Sequence, residues 1–486
     1  MKKLDDILVE VQALNIVGAT DIAITALEYD SRRISEGSCF FAVVGSASDG
    51  HNYIASAIER GAVAVICQRL PESLTEGVSY VVVEDSNIAM AAMAAAFYDN
   101  PSHELRLVGV TGTNGKTTTA TLLYDMFTAM GYQVGLISTV IYRIGKQSIA
   151  STHTTPDAIR LNEMMRQMVD QGCDYCFMEV SSHAAAQHRI DNLRFAGALF
   201  TNLTHDHLDY HGTYKEYIRA KKLFFDSLDR DAWAVVNIDD RNGEVMVQNT
   251  RAKVYRLSLR SMADYRTKLI EMLPNGMQLQ LDGNELWVKF TGRFNAYNLT
   301  TVYAAAHLLG IDKMEVLTTL SMLTPVSGRF ETIYAKDGTM AVVDYAHTPD
   351  ALDNVLQTIN EVRRMEQQLI VVCGCGGDRD RTKRPEMASI AVREATTAIL
   401  TSDNPRTEAP EAILDDMVAG VGDARNYLRI TDRREAIRTA AMLAKAGDII
   451  LIAGKGHEDY QIIGTVKHHF DDREEIRAAF EQSHNN

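Results

Sequence analysis

The sequence predicts an α/β protein of three domains, with a central P-loop parallel sheet and a C-terminal doubly wound, Rossmann-like domain. Three observations carry that expectation. The 486 residues exceed what one ordinary core supports, and the usual domain size gives roughly three units. Two long stretches alternate apolar β-rich runs with helical patterns, as parallel βαβ units do. A glycine-rich loop, "VGVTGTNGKTTTA", joins an apolar strand to a helix starting at Lys116.

Along the chain, residues 1–104 read as a small α/β domain. The runs "FFAVVG", "AVAVICQ" and "SYVVVED" alternate with the helical patterns "NYIASAIERG" and "NIAMAAMAAAFY", and "DNPS" with Pro101 closes it. Residues 105–330 continue with strand "RLVGV", the glycine loop, strand "QVGLIST", a helix near 157–170, strands "YCFMEV" and "GALFTNL", a helix near 214–227 and strand "WAVVNI". Residues 253–292 change character: short alternating runs broken by "PNG" and "DGN" predict an antiparallel appendage, followed by a helix over about 295–309. Residues 331–486 form a second α/β series, with strands "MAVVDYA", "QLIVVCGC", "TAILTSD", "YLRIT" and "DIILIAG". Ligands of such open sheets sit beyond the carboxyl ends of the strands, where "TSDNPR" and "AGKGHE" fall.

Composition excludes several classes. With 46% hydrophobic and 23% charged residues, and only 31 Gly and 9 Pro, the chain has no fibrous or disordered bias. "MKKLDDILVE" turns acidic where a signal peptide would be apolar, and the most apolar stretch, "AMAAMAAAF", is far below spanning length. A cytoplasmic protein without membrane insertion is expected. A net charge of −15 disfavours nucleic acid and anionic membrane surfaces, while leaving room for an anionic small ligand held by local groups. The pairs Cys173/Cys176 and Cys373/Cys375 each lie in a run that reads as a buried strand, at spacings unlike a zinc pattern, so the six cysteines read as mostly buried, reduced thiols.

The glycine loop is the sharpest chemical signal. Its backbone N–H groups can cradle phosphate oxygens, Lys116 supplies a charge for the β and γ phosphates, and the Thr117 hydroxyl can bind Mg²⁺. The common G-x-x-x-x-G-K-[ST] spacing fails by one residue, because position 110 is valine and the glycines are Gly109, Gly112 and Gly115. Glu179, closing "YCFMEV", is placed to serve the metal. His205, Asp206, His207, Asp209 and His211 lack the H-E-x-x-H spacing of a zinc site, and their oxygens suit Mg²⁺ better, with His207 expected near the metal.

Ordered motifs running through the chain resemble the Mur ligases, ATP-dependent amide-forming enzymes of peptidoglycan precursor synthesis. They are Gly112-Thr113-Asn114-Gly115-Lys116-Thr117-Thr118, "TTPDA", "MEVSSHAAAQHR", "TNLTHDHLDYHG", "AKKLFF", "GRFNAYN", "SGRFE", "DYAHTPDAL", "GCGGDRDRTKRP", "DNPR" and "GKGHE". The resemblance is strongest to the branch that adds the third peptide residue to UDP-N-acetylmuramoyl-L-alanyl-D-glutamate through an acyl phosphate. It implies a UDP-sugar-binding first domain, an ATP-binding second and an amino-acid-binding third.

Residue roles follow from the same resemblance. Lys116, Glu179, His207 and Lys221 would be catalytic. ATP would meet Gly112 to Thr118, Asn295, Arg329, Asp344 and His347. The nucleotide-sugar dipeptide would meet Ser31, Ser46, Ala47, Ser48, Asn114, Thr154, Thr155, Ser181, Gln187 and Arg189; Ser46-Ala47-Ser48 departs from what the family often has. Mg²⁺ would take Thr117, Glu179, His207 and Lys221 as its carbamate (N6-carboxylysine), although a lysine on a helix most often faces solvent.

Diaminopimelate, the meso isomer expected, would meet Arg379, Asp403, Asn404, Pro405, Arg406, Gly454 and Glu458. Arg406 can grip a carboxylate that a lysine side chain lacks, which favours diaminopimelate over lysine. A monomer is expected. The competing readings are a lysine-adding ligase, a folylpolyglutamate synthetase, a P-loop kinase or motor, and a non-catalytic nucleotide-sugar-binding protein. "HDHLDYHG", "DNPR" and "GHE" fit the second poorly, and the catalytic residues present argue against the last.

Overall fold

The computed structural model describes residues 1–45, 48–204 and 208–483. Its contacts form two compact units, one of Met1–Gly112, Thr119–Thr201 and Lys215–Arg256, the other of Thr113–Thr118, Asn202–Tyr214 and Leu257–Asn486.

Beside a two-stranded pairing of Lys2–Lys3 with Ala23–Ile24, the first unit contains two larger sheets. One has five strands in the order Ala13–Val17, Ser79–Val83, Ala62–Cys67, Ser38–Phe41 and Ala26–Glu28, parallel except at the first. Successive side chains point to opposite faces, so a continuous apolar run buries both. Cys39, Phe41, Ala64 and Ile66 pack under the helix Ser86–Phe97, while Phe40, Ala42, Val65 and Cys67 pack under Ile54 and Ala57. Asp85 caps that helix by accepting from the Asn87 N–H.

The other sheet puts the glycine-loop strand in the middle. Tyr175–Glu179 and Gly197–Phe200 flank Arg106–Thr111 in parallel, with Val134–Ile137 and Trp233–Asn237 outside them. Gly109 is needed there, since a Cβ would lie 2.5 Å from Phe224 and 2.9 Å from Phe195. A hairpin, Ile141–Ile144 with Gln147–Ala150, extends one edge. Its "IGKQ" turn was not anticipated from the alternation of strands and helices.

In the second unit, Tyr265–Leu273, Gly276–Leu281 and Asn284–Val288 form the expected antiparallel meander. One correction applies: the first run, Lys253–Ser258, joins through Leu257 and Ser258 in parallel, not antiparallel. The six-residue connection that follows is too irregular to read as either a hairpin or a crossover. Next come the helices Arg293–Leu308 and Lys313–Met322.

A six-stranded sheet follows, in the order Glu331–Tyr334, Met340–Asp344, Ile449–Ala453, Leu369–Cys375, Thr397–Ser402, Tyr427–Arg429. Only its first strand is antiparallel. Met340, Val342, Val371 and Leu451 face the helices Pro349–Val362 and Lys383–Glu394, while Ala341, Val343, Ile370 and Ile450 face Arg433–Leu443 and Asp472–Ser483. Helices on both faces make it doubly wound.

All six cysteines are buried and unpaired, and burial, the largest cause in each case, pushes the Cys39, Cys176 and Cys373 thiols far above their usual range, as expected of inert thiols. No helix among the described residues is long and apolar enough to cross a membrane.

Candidate active site

In the first unit a polar network gathers at the carboxyl end of Tyr175–Glu179. Glu179 is fully buried; its Oε1 accepts from the Thr139 N–H at 2.7 Å and its Oε2 from the Thr139 hydroxyl at 3.1 Å. That hydroxyl also meets Thr154 Oγ1 at 3.1 Å. Thr155 Oγ1 donates to the Glu179 carbonyl at 2.7 Å and accepts from the Ser181 N–H at 3.1 Å. Arg189 Nη1 donates to the Thr155 carbonyl at 2.7 Å, and its Nε and Nη2 grip Gln187 Oε1. The fold thus brings Thr154, Thr155, Glu179, Ser181, Gln187 and Arg189 together.

Thr139 was missed from sequence, although it ends "QVGLIST" at the same sheet end, and that placement was the available signal. Thr139→Val should lower kcat about tenfold, the worth of one charge-assisted hydrogen bond, while leaving the melting temperature nearly unchanged. Steady-state kinetics beside a thermal melt check this; an unchanged kcat counts against a role for the network.

Lys221 is only 2% exposed. It lies on the buried side of the helix Tyr214–Asp226, donates from Nζ to the Gly112 carbonyl at 2.8 Å and stands 4.9 Å from the Tyr217 ring. A solvated helix lysine is thereby excluded: the structure holds this amine at the glycine loop. Ser31 opens a short turn capped by Asp30, and Ser48 is exposed with its hydroxyl 3.3 Å from that of Tyr53. Ser46, Ala47 and His207 lie outside the described residues.

In the second unit the loop Thr113–Thr118 is held by a residue the sequence reading did not single out. Asn202 accepts from the Thr113 and Asn114 N–H groups, through its carbonyl at 2.8 Å and Oδ1 at 2.9 Å, and its Nδ2 donates back to the Asn114 carbonyl. Gly115 takes φ +86°, a region open to glycine at little cost. Lys116 Nζ reaches the Thr113 carbonyl at 2.8 Å, Asn114 Nδ2 donates to Asp350 Oδ2 at 2.9 Å, and Arg329 Nη2 donates to Thr117 Oγ1 at 3.2 Å. Arg329 also stacks 4.5 Å from the Tyr345 ring centre.

The other residues expected to meet nucleotide divide by role in the fold. Asp344, at the end of its strand, accepts from the Phe330 and Ala346 N–H groups; burial raises its pKa, with Arg329 and those amides opposing. His347 Nδ1 lies 2.9 Å from the Tyr345 carbonyl. Asn295 is buried and donates to the Thr291 carbonyl. His457, packed on Tyr345, has its pKa pushed down to about 3, by burial first and then by Arg329, Arg473, His347 and Lys455, so its ring is neutral.

At the carboxyl ends of Leu369–Cys375, Thr397–Ser402 and Ile449–Ala453 the last group converges. Gly377 donates to the Asn404 carbonyl, and a Cβ there would lie 1.9 Å from the Pro405 oxygen, so only glycine lets these two loops touch. Arg406 takes φ +52° and is pinned by two backbone bonds, to the Ile462 carbonyl and from the Gly464 N–H; its Nη1 donates to the Gly377 carbonyl at 2.7 Å. Asn404 Nδ2 meets Glu458 Oε2 at 2.9 Å, Gly454 donates to the Asp344 carbonyl, and Arg379 is exposed on the neighbouring loop. Lys455, fully buried, sits among Asp403, Asn404 and Glu458. Sequence reading passed over it, although it lies inside "GKGHE".

A phosphate-type loop opening a helix in one parallel sheet, with a second doubly wound sheet whose strand ends gather carboxylates, an amide and an arginine, defines a nucleotide-dependent enzyme of α/β class. Three family models match in order along the chain: "Mur ligase family, catalytic domain" over residues 23–98, "Mur ligase middle domain" over 110–306 and "Mur ligase, glutamate ligase domain" over 328–456. The chain belongs to the Mur ligase family, which comprises ATP-dependent amide-bond ligases.

Among its relatives is a Bacteroides fragilis protein named "UDP-N-acetylmuramoyl-L-alanyl-D-glutamate--2,6-diaminopimelate ligase", 53% identical over 98% of this chain and 99% of that one. A Cytophaga hutchinsonii protein of the same name is 53% identical over 97% of each. A solved structure titled for the same ligase is 33% identical, covers 100% of both chains and superposes with a TM-score of 0.70.

Proposed function

We propose that this chain joins diaminopimelate to the D-glutamate of UDP-N-acetylmuramoyl-L-alanyl-D-glutamate, consuming ATP, in the cytoplasmic synthesis of peptidoglycan precursor. The observation that carries the acceptor is Arg406, fixed in its loop by Ile462, Gly464 and Gly377 beside Asn404 and Glu458. A guanidinium so held suits a distal carboxylate, while the neighbouring amide and carboxylate suit an ammonium group. We divide the chain as 1–104 for the UDP-sugar, 105–330 for ATP and 331–486 for the amino acid, and take the enzyme as a monomer using the meso isomer.

The chemistry starts from two anions that must meet. A carboxylate oxygen of the D-glutamate side chain attacks the γ-phosphorus, and ADP leaves. The acceptor amine then attacks the acyl carbon, an amide forms, and phosphate departs with the former carboxylate oxygen while the nitrogen loses a proton. In this reading Gly112 to Thr118 hold the phosphates, with Lys116 against the γ-phosphate, and Asn295, Arg329, Asp344 and His347 hold the rest of ATP. Ser31, Ser46, Ala47, Ser48, Asn114, Thr154, Thr155, Ser181, Gln187 and Arg189 orient the nucleotide-sugar dipeptide. Arg379, Asp403, Asn404, Pro405, Arg406, Gly454 and Glu458 receive the acceptor.

The donor set fits Mg²⁺. Thr117 would offer its hydroxyl to the ion that accompanies ATP, and Glu179, whose two oxygens each keep a lone pair beyond the Thr139 bond, and His207 would hold a second. An ammonium at Lys221 does not fit a cation, whereas its carbamate, made with CO₂, is an oxygen donor. When bound, Mg²⁺ supplies positive charge that screens the approaching anions.

Phosphate release from ATP tests the reading, with UDP-N-acetylmuramoyl-L-alanyl-D-glutamate present and diaminopimelate, lysine or no amine compared. Turnover that needs the nucleotide-sugar dipeptide and strongly prefers diaminopimelate is expected. Equal use of lysine, or full turnover without an amine, overturns it.

A further inference from the structure

Lysine is among the residues least often buried, because removing an ammonium from water is costly unless partners replace the water. Lys455 is fully buried, and its three donors are all spoken for: Asp403 Oδ1 at 3.2 Å, Asn404 Oδ1 at 3.1 Å and Glu458 Oε2 at 3.3 Å. These partners come from two loops. Asp403 and Asn404 follow the strand Thr397–Ser402, and Glu458 follows Ile449–Ala453.

The partners are further locked to one another. Asn404 Oδ1 accepts from the Ile462 N–H at 2.9 Å, its Nδ2 donates to Glu458, and Gln461 Nε2 donates to the Asp403 carbonyl at 2.6 Å. Ile462 in turn accepts from the Arg406 N–H. One ammonium therefore stands at the junction of every side chain assigned to the acceptor's ammonium, and three hydrogen bonds, through Asn404 and Ile462, from the backbone of the arginine assigned to its carboxylate.

We propose that Lys455 is the positioning residue of the acceptor site: its buried ammonium gathers Asp403, Asn404 and Glu458 into one constellation and balances the two carboxylates, so that an incoming amine meets a preformed, singly negative receptor. The inference rests on the assignment of these residues to the acceptor. Two carboxylates this close repel each other, and without a cation one of them takes a proton and stops attracting an ammonium. The charges facing the pair agree. Burial and Asp403 raise the Glu458 pKa while Lys455 opposes; burial would also raise that of Asp403, but Lys455, Arg433 and His347 outweigh it and lower it. Tyr345 and Tyr460 also face Glu458, and both phenols are pushed upward by burial and then by Glu458, so neither supplies a charge.

The test compares Lys455→Gln, which keeps a donor and removes the charge, with Lys455→Arg, which keeps the charge, and runs Arg406→Ala beside them. Lys455→Gln should raise the KM for diaminopimelate about tenfold or more while the KM for ATP stays within about twofold. With Lys455's lowering influence gone, the Glu458 pKa rises further. The acid limb of the pH profile of kcat/KM for the acceptor should therefore move to higher pH in Lys455→Gln and stay in place in Lys455→Arg.

A folded Lys455→Gln with unchanged acceptor KM and acid limb overturns the inference, as does an equal rise in both KM values, which marks a merely structural lysine. If Lys455→Gln does not fold, the Arg variant decides: an acid limb moved to higher pH in it overturns the inference, and one that stays in place supports it. Should Arg406→Ala leave the acceptor KM untouched, the acceptor assignment itself fails, a result separable from failure at Lys455.

Discussion

Lys221→Ala should lower kcat by about 10²- to 10³-fold, the usual cost of removing one preorganised electrostatic contributor, with the KM for ATP little changed. The amine is 2% exposed and donates to the Gly112 carbonyl, away from solvent. Charge alone does not account for it in the proposed chemistry, because an ammonium repels the cation that the site needs. Lys221→Arg separates the two possibilities. Arginine keeps the positive charge and forms no carbamate under these conditions, so it should lose as much activity as alanine. Small carboxylates such as acetate, which imitate the carbamate's oxygens, should restore part of the activity of Lys221→Ala and none of Lys221→Arg. An active Lys221→Arg would mean that the lysine acts as a simple cation or a packing residue.

Arg406→Ala should raise the KM for diaminopimelate roughly 30-fold, about 2 kcal/mol for charged hydrogen bonds to a carboxylate, and leave ATP binding intact. Its φ of +52° is costly for a residue with a Cβ, so the loop's own bonds to Ile462 and Gly464 hold a strained backbone that presents the guanidinium. Relief of that strain in a glycine variant should stabilise the fold slightly while abolishing the preference for diaminopimelate over lysine. Competition between the two amines, measured as the ratio of kcat/KM values, reads this directly. A ratio unchanged by the substitution contradicts the role assigned to Arg406.

Much of this was legible in the sequence, for identifiable reasons. Continuous apolar runs such as "LIVVCGC" and "CDYCFMEV" belong to strands buried on both faces, and their spacing by helical patterns leaves few alternatives to parallel sheets. The glycine loop was legible because Gly112, Gly115, Lys116 and Thr117 fall within six residues between a strand and a helix. What stayed hidden depends on distance along the chain.

Thr139 meets Glu179 across 40 residues, and Asn202 meets Asn114 across 88; a lone Thr or Asn at a strand end carries no local sign of such a partner. Lys455 hid for another reason: a lysine reads as solvated until the structure places three acceptors around it. The hairpin Ile141–Ile144 with Gln147–Ala150 was missed because its short alternating strands break the βαβ rhythm. Lys221 is where the commonest reading of a helix lysine, a solvated one, fails, because a helix lysine carries no local sign of burial.

The central claim is that the D-glutamate carboxylate is activated by transfer of the γ-phosphoryl group before the amine arrives. The most direct test labels that carboxylate with ¹⁸O in UDP-N-acetylmuramoyl-L-alanyl-D-glutamate and follows the label during turnover with ATP and diaminopimelate. One ¹⁸O atom should appear in each phosphate released, because the acyl phosphate's bridging oxygen leaves with phosphorus when the amide forms. Phosphate free of ¹⁸O, with amide product formed at the same rate, would contradict the account.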